Sequence, residues 1–233
     1  MKAIILASGI GKRLRPLTND KPKSLLNINH RTILEYQLDI LADCGIKHVV
    51  LTTGPFEHQV KNLLNGKYSD LTIDCVNNPK YDSTNYIYSL WLTKDFIDED
   101  IILVHGDLIF PADLFKKMID VKENVVLVNR IVKPPEKDFK AVIENDRVMK
   151  IGVDFFGENT FFCLPLYKFS KKDFLIWMNE IEKEIKKGNL NIYAEDVLNK
   201  ISKDIMVKPL YFSNEFCMEI DTKEDLNKAR LNL

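Results

Sequence analysis

Residues 3–7, Ala-Ile-Ile-Leu-Ala, form an unbroken apolar run that stops at Ser8-Gly9. A run this short, bounded by glycine, reads as a strand buried on both faces. The same unit recurs through the first half of the chain, alternating with stripes of helical spacing. Strands are expected over Lys2–Ala7, Lys47–Thr53, Leu71–Asn77, Asp100–His105 and Asn124–Asn129. Helices are expected over Thr32–Asp43, Glu57–Leu64, Ser83–Thr93 (capped by Ser83 or Thr84) and Pro111–Ile119. Alternation of this kind builds parallel sheets through βαβ crossovers. The expected fold is α/β: a Rossmann-like mixed, mainly parallel sheet flanked by helices.

After Arg130 the pattern changes. Val132-Lys133-Pro134-Pro135 reads as a loop, followed by short strands over Ala141–Glu144, Arg147–Ile151 and Thr160–Tyr167. Asn145-Asp146 suits a tight hairpin turn. Ser170–Lys187 places Phe174, Trp177, Ile181 and Ile185 on one helical stripe, ended by Gly188; these are core residues. A helix over Tyr193–Ile201, strands over Met206–Tyr211 and Phe216–Ile220, and a helix over Thr222–Arg230 complete the chain. At 233 residues, with no repeat or linker, one domain is expected, with a small substrate-binding insertion in its second half.

The net charge of −1 is spread over mixed charges, so neither nucleic acid nor a membrane surface is implied as a partner. Cys44, Cys75, Cys163 and Cys217 are widely spaced and read as free thiols. No apolar run approaches the roughly 20 residues of a membrane span. Gly9 and the basic residues after it break the signal-like start too early, so a cytoplasmic protein is expected.

Chemistry concentrates where the first strand ends. Ser8, Gly9 and Gly11 form a small, glycine-bearing turn, and Lys12, Arg13 and Arg15 follow, with Lys21 and Lys23 beside Pro22. Glycines let main-chain N–H groups converge on an anion, and the cations neutralise it. The segment reads as a nucleoside-triphosphate cradle. It is not a Walker A loop, because Arg13 stands where Ser or Thr is needed. It is not a dinucleotide fingerprint either, since the third glycine and the acidic residue after the second strand are both missing.

Ligands of open parallel sheets bind beyond the strands' carboxyl ends. There, Gly106-Asp107 follows the strand ending at His105. Asp107 is placed to hold a divalent cation, and Mg²⁺ favours one or two carboxylates with phosphate oxygens. Asp221 is the candidate for the second. It also suits the cap of the last helix, with Glu224 completing a capping box, and the two roles are compatible.

Leu6-Ala7-Ser8-Gly9-Ile10-Gly11-Lys12-Arg13-Leu14, followed by Lys21-Pro22-Lys23-Ser24-Leu25-Leu26, resembles the signature of the sugar-phosphate nucleotidyltransferases. Its usual form is L-A-A-G-x-G-x-R-L, then K-P-K-x-L; Ser8 replaces the second alanine. Tyr81-Asp82-Ser83-Thr84-Asn85-Tyr86-Ile87-Tyr88-Ser89-Leu90 is similar to a segment of the bacterial cytidylyltransferases that activate phosphocholine, 2-aminoethylphosphonate or phosphoglutamine. The resemblance extends over essentially the whole chain, through Gly106-Asp107 and Glu219-Ile220-Asp221.

The resemblance implies the nucleotide-diphospho-sugar transferase fold and an Mg²⁺-dependent transfer of CMP from CTP to a small phosphorylated or phosphonate acceptor. It divides the chain into a nucleotide-binding half (1–130), an acceptor-binding elaboration (131–215) and a closing segment carrying the second metal carboxylate (216–233). Arg13 would hold the β- and γ-phosphates and Lys23 would bridge to the α-phosphate, with Asp107 and Asp221 on the metal. Leu6, Ala7, Ser8, Gly9, Gly11, Lys12, Ser83, Thr84, Asn85 and Gly106 complete the nucleotide site. Tyr88, Lys140, Tyr193, Glu195 and Asp196 are the acceptor candidates. Glu195 and Asp196 are equally explained as helix-start acids, and Asn85 and Tyr88 as a helix start and its packing. The resemblance leaves room for a homodimer. The rival readings are a sugar-1-phosphate nucleotidyltransferase using another NTP and a non-catalytic nucleotide sensor.

Overall fold

A computed structural model describes all residues, Met1–Leu233. The strands are β1 (Lys2–Leu6), β2 (Asn27–Ile28), β3 (Arg31–Thr32), β4 (His48–Thr53), β5 (Thr72–Asn77), β6 (Ile101–His105) and β7 (Leu108–Ile109). They continue with β8 (Asn124–Asn129), β9 (Lys140–Glu144), β10 (Arg147–Gly152), β11 (Thr160–Phe169), β12 (Val207–Phe212) and β13 (Met218–Glu219). The helices are α1 (Ile33–Asp43), α2 (Glu57–Leu64), α3 (Tyr86–Leu92), α4 (Ala112–Asp120), α5 (Lys171–Lys186), α6 (Ala194–Lys200) and α7 (Lys223–Asn232). No helix is long and apolar enough to cross a membrane.

Nine strands make one sheet. β5, β4, β1 and β6 are parallel, with Leu6 opposite Thr52 on one side and His105 on the other. The ends of β1 and β6 therefore open on one rim, as expected. β11 runs antiparallel to β6, and β8 and β12 continue beyond it. The β9–β10 hairpin branches from the first half of β11. Its turn residues Asn145 and Asp146 both take positive φ, 49° and 58°, which the two-residue hairpin requires.

Alternate side chains of β1 feed two separate cores. Ile4 and Leu6 join the face covered by α3, α5 and α6, while Ala3, Ile5 and, just past the strand, Ala7 join the face covered by α1 and α4. Trp177 lies wholly inside the first core, its indole N–H donating to the Ala194 carbonyl at 3.0 Å. It packs the core and is not a ligand-facing residue.

Two boundaries differ from the sequence reading in ways that matter for the site. The helix expected from Ser83 starts only at Tyr86, capped by the Asn85 side chain at 2.7 Å. Residues 80–84 form a turn instead, because Asn78 Oδ1 accepts from the Lys80 N–H and Thr84 Oγ1 donates back to the Lys80 carbonyl. The box that starts α7 is Thr222–Asp225, not Asp221–Glu224. Asp221 thus keeps its carboxylate free of capping.

Candidate active site

β13 is only two residues long, yet it fixes the centre. It pairs antiparallel with β7 (Met218 with Ile109, Glu219 with Leu108), and the Ile220 N–H donates to the Asp107 carbonyl at 2.9 Å. This ladder brings Asp221 beside Asp107. Gly106 allows the approach of β6 to the first loop: a Cβ there would lie 2.7 Å from the Ala7 Cβ and 2.8 Å from the Leu6 carbonyl oxygen. Gly11 adopts φ +60°, the left-handed region glycine favours, and packs against the Lys23 stem.

The Lys23 ammonium lies between the two aspartates, 2.7 Å from Asp107 Oδ2 and 2.7 Å from Asp221 Oδ1. Arg13 Nη2 reaches Asp221 Oδ2 at 2.8 Å. Burial works against the charge on Lys23, but Asp107 and Asp221 outweigh it and raise its pKa. Burial likewise pushes the Asp107 carboxyl up, yet Lys23 and His105 hold it below the usual range. Asp107 is therefore held in its ionised form in the resting site.

These residues fit a divalent cation. Two hard carboxylates already close around one positive centre, and Asp107 Oδ1 is buried without a hydrogen-bond partner. Carboxylate oxygens suit Mg²⁺. Behind Asp107, His105 Nδ1 lies 3.9 Å from Glu219 Oε1, and His105, Asp107 and Glu219 are clustered closely enough to share a cation. Burial, with Asp107 and Asp221 nearby, pushes Glu219 well above the ordinary carboxylate range. Burial also lowers the His105 pKa despite the carboxylates around it, so the imidazole is neutral near pH 7.

Two adjoining recesses share Gly9 and Asp107. One, of about 290 Å³, is lined by Gly11, Lys12, Arg13, Lys23 and Asp221, so three cations face it beside the two aspartates. The other, of about 240 Å³, is lined by Leu6, Ser8, Asn78, Tyr81, Thr84, Asn85 and Tyr86 among others. Its floor is a polar chain: Asn78 Nδ2 donates to Ser89 Oγ at 2.9 Å, and the Ser89 and Ser8 hydroxyls meet at 2.6 Å. Ala7 lies just beneath, its N–H bonded to Thr52 Oγ1 at 3.1 Å.

The expected acceptor residues divide. Tyr193 presents its ring 5.2 Å from Phe139 and 6.1 Å from Tyr86, at the edge of the site. The others are placed differently. Tyr88 packs on Trp91, with Lys80 over its ring, while Tyr86 on the same helix lines the cavity. Glu195 is fully buried and accepts hydrogen bonds from the Tyr86 and Tyr167 hydroxyls, so it braces the pocket wall from behind. Asp196 caps the Tyr193 N–H at 2.9 Å. Lys140 is buried, its ammonium bonded to main-chain carbonyls, and is not available to an acceptor phosphate. Ser83 is exposed and bonds only the Lys80 carbonyl. Asn78, Ser89 and His105 line the second recess, and Glu219 sits beside His105 behind Asp107; pattern reading passed over all four as site residues. A polar residue ending an apolar strand, as His105 does, was the available signal.

A profile of the nucleotidyl transferase family matches residues 2–139. The chain belongs to this family and is a nucleotidyltransferase. It is 28% identical to the CTP:phosphoglutamine cytidylyltransferase of Campylobacter jejuni, over 97% of this chain and 98% of that one. It is 33% identical to the CMP-5'-(3-aminopropyl)phosphonate synthase of Streptomyces rubellomurinus over 58% of this chain, and the match spans only 22% of that longer protein. The structure superposes on CTP:phosphocholine cytidylyltransferase from Streptococcus pneumoniae with a TM-score of 0.85, at 24% identity over 99% of this chain and 98% of that one. That likeness establishes the shared fold.

Proposed function

We propose that this protein transfers the cytidylyl group of CTP to a small phosphorylated or phosphonate acceptor and releases pyrophosphate. One observation carries the reading: Arg13, Lys23, Asp107 and Asp221 converge where a cationic slot meets a polar, nucleoside-sized cavity. The choice of cytidine rests on the Tyr81–Leu90 segment and on the activity named for the Campylobacter relative, which is matched over its whole length.

In the proposed reaction an anionic oxygen of the acceptor forms a bond to the α-phosphorus as the bond to pyrophosphate breaks. The nucleophile is already ionised near neutral pH, so no general base is required. The barrier lies in bringing anions together and in charge developing on the leaving group. Catalysis of this kind is positioning plus electrostatics. Arg13 offers a two-pronged grip to phosphate, and Lys23 a mobile point charge. Magnesium held by Asp107 and Asp221 would neutralise charge on the triphosphate. Gly9, Gly11 and Lys12 line its path, while Ser8, Thr84, Asn85 and the Asn78–Ser89 chain offer polar partners to base and ribose. Phe139 and Glu219 beside His105, with Tyr193 packed on Phe139, form the acceptor wall; its aromatic rings suit a cationic headgroup.

The test is pyrophosphate release with Mg²⁺, crossing the four common NTPs with phosphocholine, phosphoglutamine, 2-aminoethylphosphonate and glucose 1-phosphate. Release confined to CTP with one of the first three supports the reading. Release with glucose 1-phosphate and another NTP overturns it, and silence with every pair favours a sensor.

A further inference from the structure

Lys140 opens β9 with no exposed surface. Its ammonium donates to the carbonyls of Glu136 at 2.8 Å, Asp138 at 2.9 Å and Val153 at 2.8 Å. An ammonium has three donors, so all are used. The Phe156 ring lies 4.8 Å from Nζ. Two of the carbonyls belong to the loop between β8 and β9, and the third to the loop between β10 and β11.

Both loops reach the catalytic face. Phe139 contacts Tyr193, with ring centres 5.2 Å apart, and His105 at 6.5 Å. Burial, then the nearby Asp221 and Asp225, raises the Asp138 pKa, and Asp154 is among the acids that act on the Tyr193 hydroxyl after burial. Burial lowers the Lys140 pKa against the pull of Asp138, Asp154 and Glu136. A buried charge is a costly way to fill space, and its attested use is to select one geometry.

We propose that Lys140 is a positioning residue for the acceptor, a buried tie that locks the 131–139 and 153–159 loops into one wall. The inference rests on the acceptor wall assigned above. The residues proposed above for base, ribose and triphosphate lie on the first loop and on residues 78–89, so the tie acts on acceptor affinity much more than on CTP affinity.

The experiment uses the full chain with Lys140→Met, which keeps the stem and removes the donors, and Lys140→Arg, which restores charge and donors. With the acceptor that supports turnover, Lys140→Met should raise acceptor KM by about 10-fold or more and change CTP KM by less than about 2-fold. Lys140→Arg should recover part of the loss. Equal changes in both KM values, or none, overturn the proposal. Amide hydrogen exchange supplies a readout independent of turnover: in Lys140→Met both loops should exchange faster together, with β1, β4 and β6 unchanged. Acceleration in one loop alone, or throughout the sheet, overturns the tie. If Lys140→Met does not fold, the exchange comparison on Lys140→Arg decides, with matched loosening of both loops expected. Absence of turnover in the unmodified protein counts against the functional reading, while exchange still decides the tie.

Discussion

Lys23 and Asp221 are separated by 198 residues of chain and by 2.7 Å in space. The contact closes the site between the first loop and the last strand. It makes one lysine the neutraliser of both carboxylates and, in the proposed reaction, a cation for the triphosphate.

Removing that cation should be costly for chemistry and mild for folding. Lys23→Ala is expected to lower kcat by about 10²- to 10³-fold, the range for loss of one transition-state donor. The same variant should bind Mn²⁺ more tightly than the unmodified protein when no nucleotide is present, because the carboxylates are released. Steady-state kinetics and Mn²⁺ paramagnetic resonance check the two halves; near-normal turnover would refute the assignment.

Asp221→Asn removes one of the two proposed metal oxygens and leaves the α7 cap intact, since Thr222 and Asp225 hold that cap. The Mg²⁺ concentration for half-maximal rate should rise by about 10-fold or more, with the melting temperature little changed. Chelation of divalent cations should abolish turnover, and added Mg²⁺ restore it.

Gly106→Ala places a methyl 2.7 Å from the Ala7 Cβ. The clash pushes the end of β6 from the first loop and carries Asp107 with it. A loss of about 1–3 kcal/mol in stability is expected, with a fall in kcat larger than the fraction unfolded accounts for. Urea titration alongside activity separates the two effects.

Glu184 supplies a pH prediction away from the site. It accepts from Asn189 at 2.6 Å and pairs with Lys187 and Lys200 at 3.0 and 3.2 Å. Asn189 first, then the lysines, hold its carboxyl down to about 2 from an ordinary 4.5. A carboxylate depressed in this way stabilises the fold above its unfolded pKa, and the contribution is lost as pH falls toward 2. Because both lysines are exposed and screened, Glu184→Gln should cost about 1–2 kcal/mol at pH 7. Denaturant melts should show that gap closing as the pH approaches 2; a constant gap would reject the mechanism.

Much of this was legible in the residues. β1 and β6 are centred on the apolar runs 3–7 and 101–104, each followed within two residues by a glycine, so their common rim, and Asp107 on it, could be placed without coordinates. Asp221 was legible as a partner but not as a free one: Asp221–Glu224 and Thr222–Asp225 both satisfy the capping pattern, offset by one residue, and only the distant Lys23 and Arg13 break the tie. The late start of α3 depends on Asn78, whose side-chain bonds convert residues 80–84 to a turn. Lys140 and Glu195 were misplaced for one reason. A charged side chain signals solvent or ligand, but the phenols that satisfy Glu195 come from Tyr86 and Tyr167 on a distant helix and strand, and Lys140 turns back onto carbonyls of its own loop and of the loop after β10. Neither remote phenols nor irregular loop carbonyls leave a periodicity to read.

The salt link at Lys23 bears also on how the protein exists before it meets a substrate. Two carboxylates gathered at one point would ordinarily repel, and a fold that needed a metal to quiet them would depend on metal supply during its own synthesis. Here the counterion is covalently attached and travels with the chain. Folding is thereby insulated from the cell's magnesium level, and the denaturation midpoint should be the same in chelator as in millimolar Mg²⁺ when nucleotide is absent.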